Sequence, residues 1–277
     1  MNIEQEYYEN DAFWSGVLDN PMDRDRIQRL AGLIPADVSS VLDVGCGDGM
    51  FVNYLLASSS RIDRLYAVDR SQKALAHVKA EKSQASIDDL PFGSKSFHLV
   101  SSLEVIEHLP VRVLEKGLAS LCDIAEKYVL ISVPYREDLD RSKIMCPACR
   151  SCFNPDYHMR SFDDDRMRGL LSQHGFTIKQ LVHLGPSFRY RGLHRFLNPV
   201  RPIEKRPNPF NTPFPCPVCA HYLAVVDGTS VAEKVNSAVK HSPRVGNPIW
   251  KFVKQVLPKE IRFRWVAGLY ERCPATR

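Results

Sequence analysis

The stretch Val41-Leu42-Asp43-Val44-Gly45-Cys46-Gly47-Asp48-Gly49 constrains this chain more than any other. A buried-strand run passes directly into three glycines at alternate positions, and a helical pattern, Phe51 to Leu56, follows. Glycines so placed let the backbone turn sharply after a strand and let a ligand approach it closely. A dinucleotide fingerprint would need glycine where Met50 stands, so the spacing speaks against a pyrophosphate site.

The region around this loop repeats one theme. From Ser40 to Pro134 the apolar runs Leu65-Tyr66-Ala67-Val68, Phe97-His98-Leu99-Val100 and Tyr128 to Val133 alternate with helical patterns over Lys73 to Lys79 and Val111 to Ala125. Such alternation predicts an α/β fold, a parallel sheet doubly wound by helices on both faces. The 277 residues suffice for one large domain with an appendage, and no stretch approaches the roughly 18 apolar residues of a membrane span. The start carries Glu4, Glu6 and Glu9 and lacks the basic-then-apolar layout of a secretory signal, so a cytoplasmic protein is expected, its eight cysteines thiols or metal ligands.

Organisation changes after Val133. Residues 1–39 read as an N-terminal helical arm, with Tyr7, Tyr8, Phe13 and Trp14 stapling it down, and 40–185 as the ligand-binding domain. Within the latter, Ser161 to His174 is expected to be a helix with Ser161 as N-cap, Asp163 to Asp165 in its first turn and Gly175 at its end, followed by a strand from Phe176 to Leu184. Residues 186–230 form a basic loop with eight prolines between Pro186 and Pro217, and 231–277 are expected to be two basic amphipathic helices, Ile249 to Leu257 and Ile261 to Tyr270. Charge divides at Gly185, −6 before it and +11 after it, so the last third could face an anionic lipid surface, nucleic acid or an acidic substrate.

Three further motifs follow the glycine loop in order: Ala67-Val68-Asp69, Ile87-Asp88-Asp89-Leu90-Pro91-Phe92, and Leu103-Glu104-Val105-Ile106-Glu107-His108-Leu109. A carboxylate closing the second strand can accept from both hydroxyls of a ribose. The ordered series over Val41 to Leu184 resembles the class I S-adenosylmethionine-dependent methyltransferases, which implies a Rossmann-like doubly wound sheet. The resemblance places Gly45 and Gly47 beneath the methionine part of the cofactor, Asp43 in support of the loop and Asp69 on the ribose. It puts the adenine against the Ile87 amide, with Ser86 where many relatives have an acid, Asp88 as its substitute, and Leu103 at the methionine end.

Methyl transfer to a hydroxyl needs the nucleophile aligned and its proton removed. Glu104, Glu107 and His108 stand at i, i+3 and i+4, which on a helical turn share one face. His158 follows in Tyr157-His158-Met159-Arg160-Ser161-Phe162. His158, His108 and Glu107 are the candidate catalytic groups. The Glu-x-x-Glu-His pattern with a later histidine is similar to that of ubiquinone-pathway catechol O-methyltransferases and of the enzymes that methylate the terminal ribose 2′-hydroxyl of small RNAs. That likeness implies Mg²⁺ or Mn²⁺ on Glu104, Glu107, His108 and His158. Members of the family without a metal carry a similar turn, in which the acids cap helices or are solvated.

Cys146-Pro147-Ala148-Cys149 and Cys216-Pro217-Val218-Cys219 are two near-identical knuckles. Together they supply the four thiolates of a structural Zn²⁺ site, a zinc-ribbon-like insertion. A redox C-x-x-C would account for one pair and leave the other unexplained. Cys152 could replace a ligand, while Cys46, Cys122 and Cys273 read as ordinary thiols.

The reading that unites these features is an S-adenosylmethionine-dependent methyltransferase acting on oxygen of a small molecule, sugar or lipid-linked glycan, peripheral to a membrane through its basic C-terminal helices. Metal-dependent ribose methylation of RNA is the second reading, without a recognisable RNA-binding module to accompany it. A non-catalytic protein that keeps the cofactor fold and presents its zinc ribbon to a partner is the third.

Overall fold

Val41, Leu42 and Val44 point alternately to the two sides of an extended chain, which suits a strand covered by helices on both faces. The computed structural model describes residues 9, 21–190, 214–223 and 259–274. In chain order the elements are α1 (Pro21–Ala31), β1 (Ser40–Val44), α2 (Met50–Ser58), β2 (Arg64–Asp69), α3 (Gln72–Leu75), β3 (Glu81–Gln84), β4 (Phe97–Leu103), α4 (Val111–Ile124) and β5 (Ala125–Pro134). There follow α5 (Leu139–Ser142), β6 (Ile144–Met145), β7 (Cys152–Phe153), α6 (Asp164–Gly169), a 3₁₀ turn (Ser172–His174), β8 (Phe176–Tyr190), β9 (Phe214–Pro215), β10 (Tyr222–Leu223) and β11 (Lys259–Arg272).

The chain divides into two units, Met1–Glu137 with His158–Gly185 and Phe263–Arg277, and Asp138–Tyr157 with Pro186–Arg262. A seven-stranded sheet in the order β3-β2-β1-β4-β5-β11-β8 organises the first. β1, β2, β3, β4 and β5 are parallel, and β11 runs antiparallel to β5. The alternation along β1, β4 and β5 sorts side chains between two cores. Val41, Leu99 and Leu130 meet Ile27 and Leu30 of α1 and Phe51 and Leu55 of α2. Leu42, Val100, Val129 and Ile131 meet Leu118 and Leu121 of α4 and Met167 of α6. This is the Rossmann-like α/β sheet expected.

The second unit carries two short antiparallel ladders, β6 with β7 and β9 with β10. One C-P-x-C knuckle sits in the turn of each. The N-terminal aromatics at 7, 8, 13 and 14, most of the Pro-rich loop and the expected helix at 249–257 lie outside the described residues.

Two expectations are corrected. Ile261 to Tyr270 is strand, since Trp265, Val266, Ala267, Leu269 and Tyr270 are all buried and divide between the two cores. An unbroken apolar run buried on both faces has no period of its own, so spacing alone could not separate strand from helix. Pairing to β5 decided it, from Trp265 opposite Pro134 to Glu271 opposite Tyr128, and the buried residues Trp265 to Tyr270 are therefore not available to a membrane surface. The helix expected from Ser161 begins at Asp164, with Asp163 as N-cap accepting from the Arg166 N–H at 3.0 Å. Ser161 precedes buried Phe162, which bridges Tyr135 in parallel and keeps the chain extended there. Among the described residues no helix is long and apolar enough to cross a membrane.

Leu269→Ala, at a position only 2% exposed, is expected to cost about 2–5 kcal/mol of stability in urea or guanidinium unfolding. A residue on a detachable surface helix would show almost none of that loss.

Candidate active site

The parallel strands deliver their C-terminal ends to one edge of the sheet, where open α/β sheets bind ligands. Beyond Val44 the chain is left-handed at Gly45 (φ 74°), Gly47 (φ 54°) and Gly49 (φ 80°), and Gly49 is the N-cap of α2. A Cβ on Gly45 would lie 2.4 Å from Val105, so both conformation and space demand glycine there. The loop is tied to β2. The Gly45 and Cys46 N–H groups donate to the Val68 carbonyl at 2.8 and 3.0 Å, and the Gly47 N–H donates to Asp69 Oδ2 at 2.8 Å. Asp69 Oδ1 accepts from the Ser71 N–H at 2.8 Å. Each oxygen of Asp69 retains acceptor capacity.

Asp43 is buried within β1, and its Oδ1 accepts from Ser101 Oγ of β4 at 2.6 Å. Burial pushes its carboxyl up to about 7, against the Ser101 hydroxyl, with the charge of Asp69 adding to the rise. Burial also raises Asp48 and Asp69, the latter against the N–H groups of Ser71 and Gly47. The Cys46 thiol is held far above its ordinary value by burial and then by the fields of Asp43, Asp69 and Asp48. To the extent that they ionise, these carboxyl groups repel a pyrophosphate and attract a sulfonium or ammonium group. Further along this edge, Ser86 Oγ donates to Asp88 Oδ1 at 2.5 Å, Ile87 is buried, and half-buried Leu103 closes β4 opposite Ser132.

Glu104 does not share a helical face with Glu107 and His108, which corrects the sequence expectation. It is left-handed (φ 58°), its N–H donates to the Ser132 carbonyl at 2.8 Å, and its Oε1 accepts from Ser132 Oγ at 2.7 Å. Arg26 lies 3.4 Å from the same oxygen and stacks on Trp265. The segment after it is a turn, closed by the His108 N–H on the Val105 carbonyl at 3.1 Å. Glu104 is thus spent on Arg26 and Ser132 and stands apart from the group formed by Glu107, His108 and His158, whose ligand atoms lie within 4.8 Å of one another.

Glu107 is 1% exposed, and neither carboxylate oxygen has a hydrogen-bond partner among the described residues. Burial and the charge of Glu104 hold it well above the carboxylate range. His158 reaches it because the Met159 N–H donates to the Glu107 carbonyl at 2.9 Å and Arg160 Nη1 to the Ile106 carbonyl at 2.5 Å. The His108 and His158 rings meet edge to face with centroids 4.7 Å apart. His158 Nδ1 contacts the carboxylate of Glu137. The sequence reading missed Glu137 and Arg26. The rule that strand ends face the ligand would have drawn attention to Glu137, three residues past β5, whereas no local pattern marks Arg26.

In the second unit Cys146, Cys149, Cys216 and Cys219 converge, their ligand atoms within 4.8 Å of one another. The shortest approaches cross between knuckles, Cys146 to Cys219 and Cys149 to Cys216, both 3.7 Å. The knuckles are built alike. Cys146 N–H donates to the Ser151 carbonyl and Cys216 N–H to that of His221, both at 2.9 Å, and Arg150 (φ 63°) and Ala220 (φ 60°) are left-handed one residue past the second cysteine. Cys152 is exposed and outside the cluster, while Cys46 and Cys122 are buried thiols.

A family model described as a methyltransferase domain matches residues 18–181, more than half of the chain. The chain belongs to this methyltransferase domain family. Its fold is that of a class I S-adenosylmethionine-dependent methyltransferase. It is 30% identical over 116 residues to the mitochondrial ubiquinone biosynthesis O-methyltransferase of Candida albicans, covering 37% of this chain and 35% of that protein. Over 96 residues it is 31% identical to the 27-O-demethylrifamycin SV methyltransferase of Amycolatopsis mediterranei, covering 30% of this chain and 35% of that one. The matched segment therefore spans about a third of the length of these curated relatives. Among solved structures, a chain of the Haloferax volcanii complex between the Trm112 methyltransferase activator and its methyltransferase has a TM-score of 0.55 at 14% identity, covering 95% of this chain and 97% of that one. A Thermotoga maritima S-adenosylmethionine-dependent methyltransferase has a TM-score of 0.53 at 12% identity, covering 98% and 99%. At these identities the structural likeness concerns the fold.

The Asp43 contribution to stability should fall as pH rises from about 4 toward about 7, because the unfolded chain gives up the Asp43 proton near its ordinary value of 3.8 while the folded chain keeps it to about 7. Asp43→Asn is expected to flatten that decline in denaturant titrations run across the same pH range.

Proposed function

We propose that this methyltransferase moves a methyl group from S-adenosylmethionine to a hydroxyl of a small molecule, sugar or lipid-linked glycan. One observation carries the reading: the Glu107, His108 and His158 cluster stands on the sheet edge that holds the glycine loop, and the two are linked where Gly45 abuts Val105. The names of the two curated relatives, both concerned with methylation on oxygen, support a hydroxyl acceptor.

On this reading Asp69, its carboxylate oriented by the Gly47 and Ser71 N–H groups, accepts from the ribose hydroxyls. Gly45 and Gly47 lie beneath the methionine part and Leu103 lines its end. Asp88, oriented by Ser86, takes the adenine amino group beside the Ile87 amide. Arg26, already paired with Glu104 at 3.4 Å, adds positive charge at the end of β4, which favours the donor carboxylate. In-line displacement at the sulfonium then requires the acceptor oxygen to lose its proton, and His158 is the base within reach of that edge, with His108 and Glu107 behind it.

A second reading has its own observation. A buried carboxylate with neither oxygen hydrogen-bonded holds a proton or faces a cation, and one carboxylate with two imidazoles suits Mg²⁺ or Mn²⁺. Glu107, His108 and His158 would hold the ion, which when bound lowers the pKa of a coordinated hydroxyl. Glu107→Gln separates the two, since it preserves a protonated carboxyl's shape but abolishes a metal ligand.

The four cysteines of the second unit fit a structural Zn²⁺. Zinc–sulfur bonds of about 2.3 Å in a tetrahedron place sulfurs about 3.8 Å apart, close to the 3.7 Å between knuckles. Elemental analysis of the purified chain should find one zinc per molecule, and Cys146→Ser or Cys216→Ser should lose it. Zinc-free protein with intact folding would remove the assignment.

Calorimetric titration with S-adenosylmethionine should show micromolar binding, with Asp69→Ala at least about tenfold weaker, some 1.4 kcal/mol. His158→Ala should leave that affinity intact and slow transfer of labelled methyl about 10²–10⁴-fold. Folded protein that ignores the donor would defeat the reading, and donor binding without transfer to any acceptor would favour a non-catalytic role.

A further inference from the structure

We propose that Glu137 is a positioning residue for His158, whose carboxylate accepts from His158 Nδ1–H, fixes the tautomer in which Nε2 is the basic nitrogen, and holds the ring against the Glu107 and His108 cluster. The inference rests on the methyl-transfer reading for its consequence in turnover, but not for the contact itself.

Two sets of hydrogen bonds, neither made by the Glu137 or His158 side chain, bring the pair together. Beyond β5 the Tyr135 N–H donates to the Arg264 carbonyl at 2.9 Å and the Arg136 N–H to the Phe162 carbonyl at 2.8 Å, while Arg136 turns left-handed (φ 49°) and presents residue 137. On the other flank His158 is held through Met159 on Glu107 and Arg160 on Ile106. The His158 side chain is 12% exposed and that of Glu137 18%, so the contact is largely desolvated, unlike a surface ion pair.

An imidazole has two nitrogens, and what holds one decides what the other can do. With Nδ1 donating to a carboxylate, Nε2 carries the lone pair and the ring cannot swing away from its neighbours. The same orientation serves a base that takes the acceptor proton and a ligand that holds a cation. It accounts for a carboxylate that belongs to none of the three motifs and yet faces the group on which the chemistry depends.

The test uses the full chain with ¹⁵N-labelled histidine. In the unaltered protein the His158 resonances should show a protonated Nδ1 and a pyridine-like Nε2. Glu137→Gln should shift them toward the other tautomer and Glu137→Asp should restore part of the pattern. With an acceptor in hand, Glu137→Gln should lower kcat about 10–100-fold with KM and donor affinity within about twofold, and Glu137→Asp should recover part of kcat. A role confined to stability would instead lower melting temperature while leaving the His158 spectrum and kcat of the folded fraction unchanged, and that result overturns the proposal. If the spectrum moves in a chain that transfers no methyl group, the contact is upheld and the methyl-transfer reading fails.

Discussion

A strand that must end in a left-handed turn, and an adjacent strand that catches the turn as it forms, are what the site is built on. Val68 and Asp69 of β2 accept the N–H groups of Gly45, Cys46 and Gly47, so the start of the loop is held by the neighbouring strand's end, while Asp48 Oδ1 accepts the Met50 N–H at its far side. Because Val105 fills the space where a Cβ on Gly45 would be, the same turn sets the distance from the loop to the segment after β4. Shift β1 by one residue and the glycines would no longer meet β2, since side chains alternate with period two.

The electrostatics around this turn run against stability and in favour of a particular ligand. Asp43, Asp48 and Asp69 are all raised by burial. Carboxylates concentrated and desolvated in this way are a cost that a positively charged donor relieves on binding, which links donor affinity to folding stability. Glu107, two residues after the Val105 that packs on the turn, repeats the pattern, with ring nitrogens of His108 and His158 within 4.8 Å of its carboxylate.

The second unit follows a different logic. Its ladders are two residues long, too short to be stable by pairing alone, and Phe153, Tyr157 and Phe214 supply a small aromatic cluster. A metal on the four thiolates would hold together what so little buried surface cannot.

The chain's own pattern was enough to predict the parallel sheet, the glycine turn, a second strand ending at Asp69 and the convergence of the two knuckles, because each of these is written within a few consecutive residues as a period, a turn requirement or a ligand spacing. The grouping of Glu107, His108 and His158 was legible as composition. The separation of Glu104 was not, for it depends on a left-handed residue and on Arg26 and Ser132, 78 and 28 positions away in the chain. Tertiary structure alone turned Ile261–Tyr270 from a helix into the strand beside β5, since its central part, Trp265 to Tyr270, is buried on both faces and carries no period to read. It alone brought Glu137 to His158, because the two flanks are held by hydrogen bonds to the carbonyls of Arg264, Phe162, Ile106 and Glu107, and of these only Phe162 lies within a few residues of either partner in sequence.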